Sequence, residues 1–199
     1  MRNDPNEVFE SFTSDTRFYA CVGTKGSGKT YFTKQNAIAF ARANPELTVT
    51  ILDPHGTYGK TALKNINVVA LDAEILAKDK TAYTKKGMTP PGMLIIDDVK
   101  EIWDNDVGNH LKSLCIRMRH EGVDVFICAH SFMDVPPRIY TFIDDFYIFR
   151  ISENYETVKH KLPRRITPEI IKAANELKWK FDKNGNRIGS EKIHVANYE

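Results

Sequence analysis

Short apolar runs alternate along the chain with longer segments in which apolar residues recur at helical spacing. The runs predict strands over residues 17–23, 48–53, 67–72, 93–97, 123–129 and 144–151. The helical spacing predicts a helix from Lys29 to about Ala43, and further helices at about 73–86, 106–120, 154–161 and 168–178. Because each strand is a continuous apolar run, we expect a mainly parallel sheet covered on both faces, a three-layer α/β fold.

The end of the chain has a different pattern. After Trp179, Asn184-Gly185 stands between two short runs of mixed polarity, which predicts a β-hairpin. A length of 199 residues suits one domain. We expect an N-terminal arm over 1–16, a core over 17–151, and C-terminal helices and hairpin over 152–199 that pack on the same domain.

Composition excludes several classes of protein. Lys and Arg number 28 against 26 for Asp and Glu, so nucleic-acid binding must come from local patches of charge. The apolar runs are far shorter than the roughly 20 residues of a membrane span. Three cysteines in apolar surroundings, Cys21, Cys115 and Cys128, indicate buried free thiols in a reducing compartment. We therefore expect a soluble, cytoplasmic protein.

The first predicted strand runs into the motif G-x-x-x-x-G-K-[ST], and a helix follows. In such a loop the backbone N–H groups point at phosphate oxygens, the lysine reaches the β- and γ-phosphates, and the hydroxyl residue ligates Mg²⁺. The motif therefore predicts an ATP site with Mg²⁺, in which Lys29 is also catalytic and Thr30 also binds the metal. Its residues are Gly23, Thr24, Lys25, Gly26, Ser27, Gly28, Lys29 and Thr30.

The strand at 93–97 ends in two acids, Asp97 and Asp98. A buried strand that delivers a carboxylate at its C-terminal end is what a Mg²⁺–nucleotide site requires. We expect Asp97 to hold the metal through water and Asp98 to orient or deprotonate an attacking water. A helix N-cap is the alternative for Asp98, and Glu101 is the second candidate for the base.

Two further strands end in polar residues that we expect at the same edge of the sheet. Asp53, in the segment ILDPHGTYG, is expected to contribute to nucleotide binding. His130 follows the strand at 123–129, where a polar side chain could sense the γ-phosphate. A loop histidine held by backbone groups is the alternative for His130, and it is the favoured interpretation for His55.

The order of these elements over 17–151 resembles the FtsK–HerA superfamily of ring-forming P-loop motors, and most nearly its viral genome-packaging branch. There the metal-binding strand often ends in two acids, and an Arg-His pair often precedes the strand that carries the polar sensor. The corresponding residues are Asp97-Asp98, Arg119-His120 and His130, which replaces the usual Gln. The segment DPHGTYG is similar to an element of HerA-type ATPases, with Thr57 in place of Glu. The Arg-His-Gly layout is also similar to the Zot-like assembly ATPases of filamentous phages.

This resemblance implies a RecA/FtsK-like fold, a homo-oligomeric ring of five or six subunits, and an arginine that reaches the γ-phosphate of the neighbouring subunit. Arg119 fits the family position best, and Arg117 and Arg138 are alternatives. The implied partners are double-stranded DNA, contacted non-specifically along its backbone, and a capsid portal or vertex protein. The implied location is the host cytoplasm, with transient residence at the capsid vertex.

Clusters of basic residues suggest where DNA could be held. Lys85 and Lys86 lie in a stretch with an excess of Lys, and Arg164-Arg165 lies between two predicted helices. Either pair could track phosphates by charge without reading bases. A solvated charged face is the alternative for both.

The sequence therefore predicts an ATP-hydrolysing ring motor that translocates double-stranded DNA, most simply into a viral capsid. One alternative is an assembly ATPase that acts on protein or single-stranded DNA. Another is a P-loop kinase for a nucleoside or metabolite, which would need a lid rich in arginine. After Arg150 the chain supplies only Arg164, Arg165 and Arg187, and the tandem acids favour water as the nucleophile.

Overall fold

The structure is a computed structural model that describes residues 16–59, 62–70, 92–100 and 121–196. Six strands come first in the described part of the chain: β1 Phe18–Val22, β2 Thr48–Asp53, β3 Ile66–Ala70, β4 Gly92–Ile96, β5 Asp124–Ala129 and β6 Asp145–Phe149. Three α-helices are described: α1 Lys29–Ala43, α2 Tyr155–Val158 and α3 Pro168–Glu176. Short 3₁₀ turns occupy Phe132–Asp134 and Tyr140–Phe142, and three strands close the chain: β7 Trp179–Phe181, β8 Arg187–Ser190 and β9 Lys192–Ala196.

Seven strands form one sheet in the order β3-β2-β4-β5-β1-β6-β9. All neighbouring pairs are parallel except β6 with β9. Strand β5 therefore lies between β1 and β4, with Cys128 paired to Cys21 and Ile127 paired to Ile96. This order brings the end of β5 between the segments that follow β1 and β4.

The sheet is buried on both faces, as the continuous apolar runs predict. In β1, Phe18, Ala20 and Val22 join one apolar cluster, whereas Tyr19 and Cys21 join the other. Helix α1 packs on the second face, and α3 packs on the first. The predicted three-layer α/β fold with a mainly parallel sheet is confirmed.

The helix bounds agree with the sequence pattern at α1 and differ elsewhere. Helix α1 covers the predicted residues 29–43 and ends where Asn44 donates to the carbonyl of Phe40. Helix α2 covers only part of the predicted 154–161: Asn154 caps its start, and turns follow from Lys159 towards Pro163, which cannot continue a helix.

The predicted hairpin is present as a separate two-stranded sheet of β7 and β8. Its turn is held by Asp182, whose carboxylate accepts from the backbone N–H groups of Asn184 and Asn186, and Gly185 has a φ of +80°. Strand β9 was not separated from this hairpin in the sequence prediction. It turns away after Ser190 and pairs with β6 as an antiparallel edge of the large sheet.

Several predicted features lie outside the described residues. These are the helices at 73–86 and 106–120, Cys115, Glu101, Arg117, Arg119, Lys85 and Lys86. Cys21 and Cys128 are buried free thiols, as predicted. Across the described parts of the chain, no helix combines the length and the apolar character needed to cross a membrane.

Candidate functional site

The phosphate-binding motif forms the turn that joins β1 to α1. Gly26 and Gly28 have φ values of +76° and +99°, a region that residues with a Cβ rarely adopt. Gly28 forms the N-cap of α1, and its carbonyl accepts from the backbone N–H of Phe32. The first N–H groups of α1 have no partner within the helix, so the loop faces solvent with backbone donors and the positive end of the helix dipole.

Lys29 is buried inside this turn, with 5% of its surface exposed. Its ammonium donates to the carbonyl oxygens of Gly23 at 2.6 Å and Thr24 at 3.2 Å, and lies 3.2 Å from Nδ1 of His130. Burial lowers the pKa of Lys29, because it disfavours the charged form. The described hydrogen-bond partners of the Lys29 ammonium are thus neutral groups, and a bound anion would stabilise its positive charge.

Thr30 and Asp97 approach each other across the carboxyl edge of the sheet. The Thr30 hydroxyl lies 3.5 Å from Oδ2 of Asp97, and the Thr57 hydroxyl donates to the same oxygen at 3.2 Å. Burial raises the pKa of Asp97, and the hydrogen bond from Thr57 and the charge of Lys29 act against that rise. A hydroxyl and a carboxylate at this separation are the hard oxygen ligands that Mg²⁺ prefers.

Asp53 holds the loop that carries Thr57. Its carboxylate accepts from the backbone N–H groups of His55 and Tyr58 and from the Thr57 hydroxyl. It is fully buried and does not line the cavity described below. Its predicted contact with nucleotide stays a prediction, and its observed partners show a role in shaping the loop after β2.

Asp98 is the only residue other than glycine with a positive φ in the described part of the chain, at +46°. Its Oδ2 accepts from Nε2 of His55 at 3.0 Å and faces Nε2 of His130 at 3.4 Å. Its Oδ1 is buried and has no hydrogen-bond partner among the described residues. The carboxylate is therefore fixed through one oxygen, and the other keeps its capacity to accept.

His130 connects the lysine to this acid. Because the ammonium of Lys29 can only donate, Nδ1 of His130 accepts and the ring proton lies on Nε2, which faces Asp98. This chain of contacts exists because β5 lies between β1 and β4. The interpretation of His55 as a loop histidine held by backbone is wrong, since its ring pairs with Asp98.

These groups surround a cavity of about 690 Å³ at the carboxyl edge of the sheet, a size typical of small-molecule sites. Of the predicted site residues, eight line it: Lys25, Gly26, Gly28, Lys29, Thr30, Asp97, Asp98 and His130. Gly23, Thr24 and Ser27 belong to the same turn without lining the cavity. Arg138 is exposed in the connection between β5 and β6 and does not line this cavity.

Seven lining residues were missed from the sequence as site residues: Tyr31, His55, Thr57, Cys128, Ala129, Arg187 and Ile188. His55 and Thr57 stand in the segment ILDPHGTYG, and the similarity of this segment to an element of HerA-type ATPases is a signal for both residues. Tyr31 follows the phosphate motif directly. Arg187 and Ile188 had no local signal, because they reach the cavity only through the position of the C-terminal hairpin.

The strand order together with the phosphate loop defines the fold of a P-loop ATPase. No protein-family model matches this chain. One curated relative, the uncharacterized protein aq_aa31 of Aquifex aeolicus (strain VF5), is 40% identical over 55 residues. That match covers 28% of this chain and only 18% of the relative.

Solved structures match over most of the chain. B204, the DNA-packaging ATPase of Sulfolobus turreted icosahedral virus, is 18% identical, with a TM-score of 0.55 over 82% of this chain and 87% of that one. B204 of Sulfolobus turreted icosahedral virus 2, solved with ATP-γS, is 23% identical, with a TM-score of 0.58 over 82% and 88%. The pCW3 conjugation coupling protein TcpA, also with ATP-γS, is 14% identical, with a TM-score of 0.57 over 92% and 60%.

The predicted resemblance to the packaging ATPases is thus confirmed in the fold. Identities this low establish a shared architecture, and one architecture can support many activities. What the chain does must therefore be argued from its own cavity.

Proposed function

We propose that this chain hydrolyses ATP in the cavity at the carboxyl edge of the sheet, and that a ring of copies uses the hydrolysis to translocate double-stranded DNA into a viral capsid. One observation carries the first part. A phosphate-binding turn with a buried lysine faces two acids across one cavity, and one oxygen of Asp98 has no hydrogen-bond partner among the described residues.

The cavity supplies the groups that a nucleoside triphosphate requires. Lys29 and the backbone N–H groups at the start of α1 would bind the β- and γ-phosphates. The phosphate oxygens would replace the carbonyl oxygens that now accept from the Lys29 ammonium, and their negative charge would stabilise it. Thr30 and Asp97 fit Mg²⁺, and the Thr57 hydroxyl keeps Asp97 oriented towards Thr30. When bound, Mg²⁺ neutralises charge on the phosphate oxygens.

Asp98 is the group placed to act on water. Asp98 lines the cavity, and His55 and His130 fix its carboxylate through Oδ2, so the group is oriented to accept a proton from an attacking water molecule. His130 also contacts Lys29, and it would therefore register whether Lys29 bonds to the loop carbonyls or to a γ-phosphate. This contact supports its predicted role as a sensor.

The second part of the proposal, translocation, rests on the shared fold. B204 is a DNA-packaging ATPase and TcpA is a conjugation coupling protein, and both resemble this chain over most of its length. We propose that a ring of five or six copies places Arg119, Arg117 or Arg138 at the neighbour's γ-phosphate. Lys85 and Lys86 are the proposed contacts to the DNA backbone.

Steady-state ATP hydrolysis, measured with and without non-specific double-stranded DNA while light scattering follows the oligomeric state, tests both parts. Stimulation by DNA in an oligomer of several subunits supports the motor. Hydrolysis that is indifferent to DNA removes translocation from the proposal and leaves the ATPase. A monomer that uses ATP only with an added nucleoside or metabolite would replace the proposal with the kinase.

A further inference from the structure

The C-terminal hairpin lies against the phosphate-binding turn, although about 160 residues of chain separate them. The backbone N–H of Ser190 donates to the carbonyl of Ser27 at 2.9 Å, and the Ser190 hydroxyl accepts from the backbone N–H of Arg150 at 3.0 Å. The backbone carbonyl of Arg150 in turn accepts from the backbone N–H of Thr24 at 2.9 Å. These hydrogen bonds hold strand β8 against the phosphate-binding turn, so that β8 forms one wall of the cavity.

Arg187 is the charged residue of this wall. A Cβ built on Gly26 would lie 2.6 Å from Nη2 of Arg187, so the missing side chain at Gly26 is what allows the guanidinium to lie on the turn. The guanidinium also stacks over the ring of Trp179, 4.4 Å from its centroid. This stacking holds a long side chain in one orientation.

Three other arginines of the described residues use their guanidinium groups within the protein. Arg17 pairs with Asp145, Arg150 donates to the carbonyl of Leu177, and Arg165 donates to the carbonyls of Ile143 and Asp144. The guanidinium of Arg187 has no hydrogen bond to any described residue, and this side chain is exposed and lines the cavity. Its N–H donors are oriented by Trp179 and remain open to a ligand.

We propose that Arg187 binds the triphosphate of the nucleotide within its own subunit, so that the C-terminal hairpin completes the nucleotide site. The ligand class is a nucleoside triphosphate, and this inference rests on the proposed function. A guanidinium held on the outer side of the phosphate turn can give two parallel hydrogen bonds to phosphate oxygens. Two exposed apolar residues of the same cavity, Tyr31 and Ile188, leave the nucleoside end an apolar surface.

Binding of ATP and of inorganic triphosphate, measured by titration calorimetry, tests the proposal with Arg187→Ala and Arg187→Lys. We expect Arg187→Ala to weaken both ligands by about 10- to 100-fold, the loss typical of a charge-assisted hydrogen bond. Arg187→Lys should recover only part, because lysine neither stacks as a plane nor donates as a fork. Lys183→Ala removes one positive charge from the exposed turn of the same hairpin and should bind both ligands as the wild type does.

Trp179 provides a second, structural readout. The chain contains two tryptophans, so Trp103→Phe leaves Trp179 as the sole emitter. ATP should change the Trp179 emission in that background, and Arg187→Ala should abolish the change. An unaltered melting temperature for Arg187→Ala shows that the variant folds.

Three outcomes would overturn the proposal. Arg187→Ala could bind both ligands as tightly as the wild type, or it could lose affinity for ATP and keep its affinity for inorganic triphosphate. In the third outcome, Lys183→Ala loses as much affinity as Arg187→Ala. The failure of the proposed function looks different. In that case Lys29→Ala binds inorganic triphosphate as well as the wild type, whatever Arg187 does.

Discussion

Acidic residues lie at both ends of the parallel strands, but their hydrogen bonding differs between the two ends. At the amino ends, Asp124 accepts from the backbone N–H of Arg17, and Asp145 pairs with both Arg17 and His194. At the carboxyl ends, Asp98 keeps a buried oxygen without a described partner and has a positive φ. Asp145 is bonded through both of its oxygens and joins β6 to Arg17 and β9, whereas the strained and incompletely bonded Asp98 at the other end marks the candidate site.

The contrast is also electrostatic. Asp145 is buried, which alone would raise its pKa, but the hydrogen bonds from His194 and Arg17 outweigh burial and its pKa lies below the ordinary value. Asp97 shows the opposite balance, because burial dominates its partners and raises its pKa. Asp145 at the amino end is thus satisfied by its cationic partners, whereas Asp97 at the carboxyl end would be stabilised by the cations of a metal–nucleotide complex.

The largest expected effect comes from removing the lysine at the carboxyl end. We expect Lys29→Ala to reduce ATP hydrolysis by at least about 100-fold, because it removes a buried donor to the phosphates. Its melting temperature should not fall, since a buried cation with no ion pair among the described residues adds little to stability. Steady-state hydrolysis and thermal unfolding measure the two quantities, with Lys172→Ala on the exposed face of α3 as the control.

Lys29→Ala that hydrolyses ATP at the wild-type rate would show that the cavity is not the catalytic site. Equal losses in Lys29→Ala and Lys172→Ala would show that charge in general, and not this position, matters.

Asp98→Asn should separate catalysis from binding. Asparagine tolerates the positive φ of this position and can still accept from His55, but it cannot take a proton. We expect hydrolysis to fall by about 10²- to 10⁴-fold while ATP binds as tightly as before. Single-turnover hydrolysis and calorimetry provide the measurements.

Asp98→Ala is the companion variant, and it should lose catalysis and also melt at a lower temperature, because alanine is strained at this φ. If Asp98→Asn retains full activity, then Glu101 becomes the candidate for the base.

At the amino end, Asp124→Asn should stabilise the protein in a pH-dependent way. Burial raises the pKa of Asp124 to about 6, and the N–H of Arg17 only partly offsets this. An acid with a raised pKa weakens the fold as it ionises, so wild-type stability falls as pH rises from about 4 to about 6. The variant keeps the acceptor for Arg17 and avoids this loss.

We expect a gain of about 1–3 kcal/mol above pH 6 that vanishes near pH 4. Urea unfolding at a series of pH values measures it, and Glu176→Gln, which removes an exposed acid, is the control. A gain in the free energy of unfolding that does not change with pH would contradict the raised pKa of Asp124.

The smallest expected effect concerns the antiparallel edge strand. The ring of His194 stacks on Tyr147 with centroids 4.7 Å apart, and its Nε2 lies 2.9 Å from Oδ1 of Asp145. His194→Ala should cost about 1–2 kcal/mol, since it leaves a buried carboxylate with one partner fewer. Amide hydrogen exchange should accelerate in β9 and not in β1. Equal acceleration in both strands would show that β9 does not open independently of the rest of the sheet.

Much of the architecture was predictable, because the signals that specify it are local. Helix α1 and strand β2 have the predicted bounds, since Gly28, Asn44-Pro45 and the periodicity between them fix the ends. Helix α2 is shorter than predicted because the turns before Pro163 interrupt an apolar pattern that would otherwise continue. Strand β9 was not resolved from the hairpin, since its residues are only half-buried and give no strong run.

The sequence by itself determined the phosphate-binding turn, the two acids after β4 and the parallel character of the sheet, because each depends on residues that are neighbours in the chain. Only the tertiary structure decided that β5 lies between β1 and β4, which joins Lys29, His130 and Asp98. It also brought Arg187 onto Gly26. Strand order and the docking of a distant hairpin depend on which surfaces bury each other, and no local pattern of residues specifies that choice.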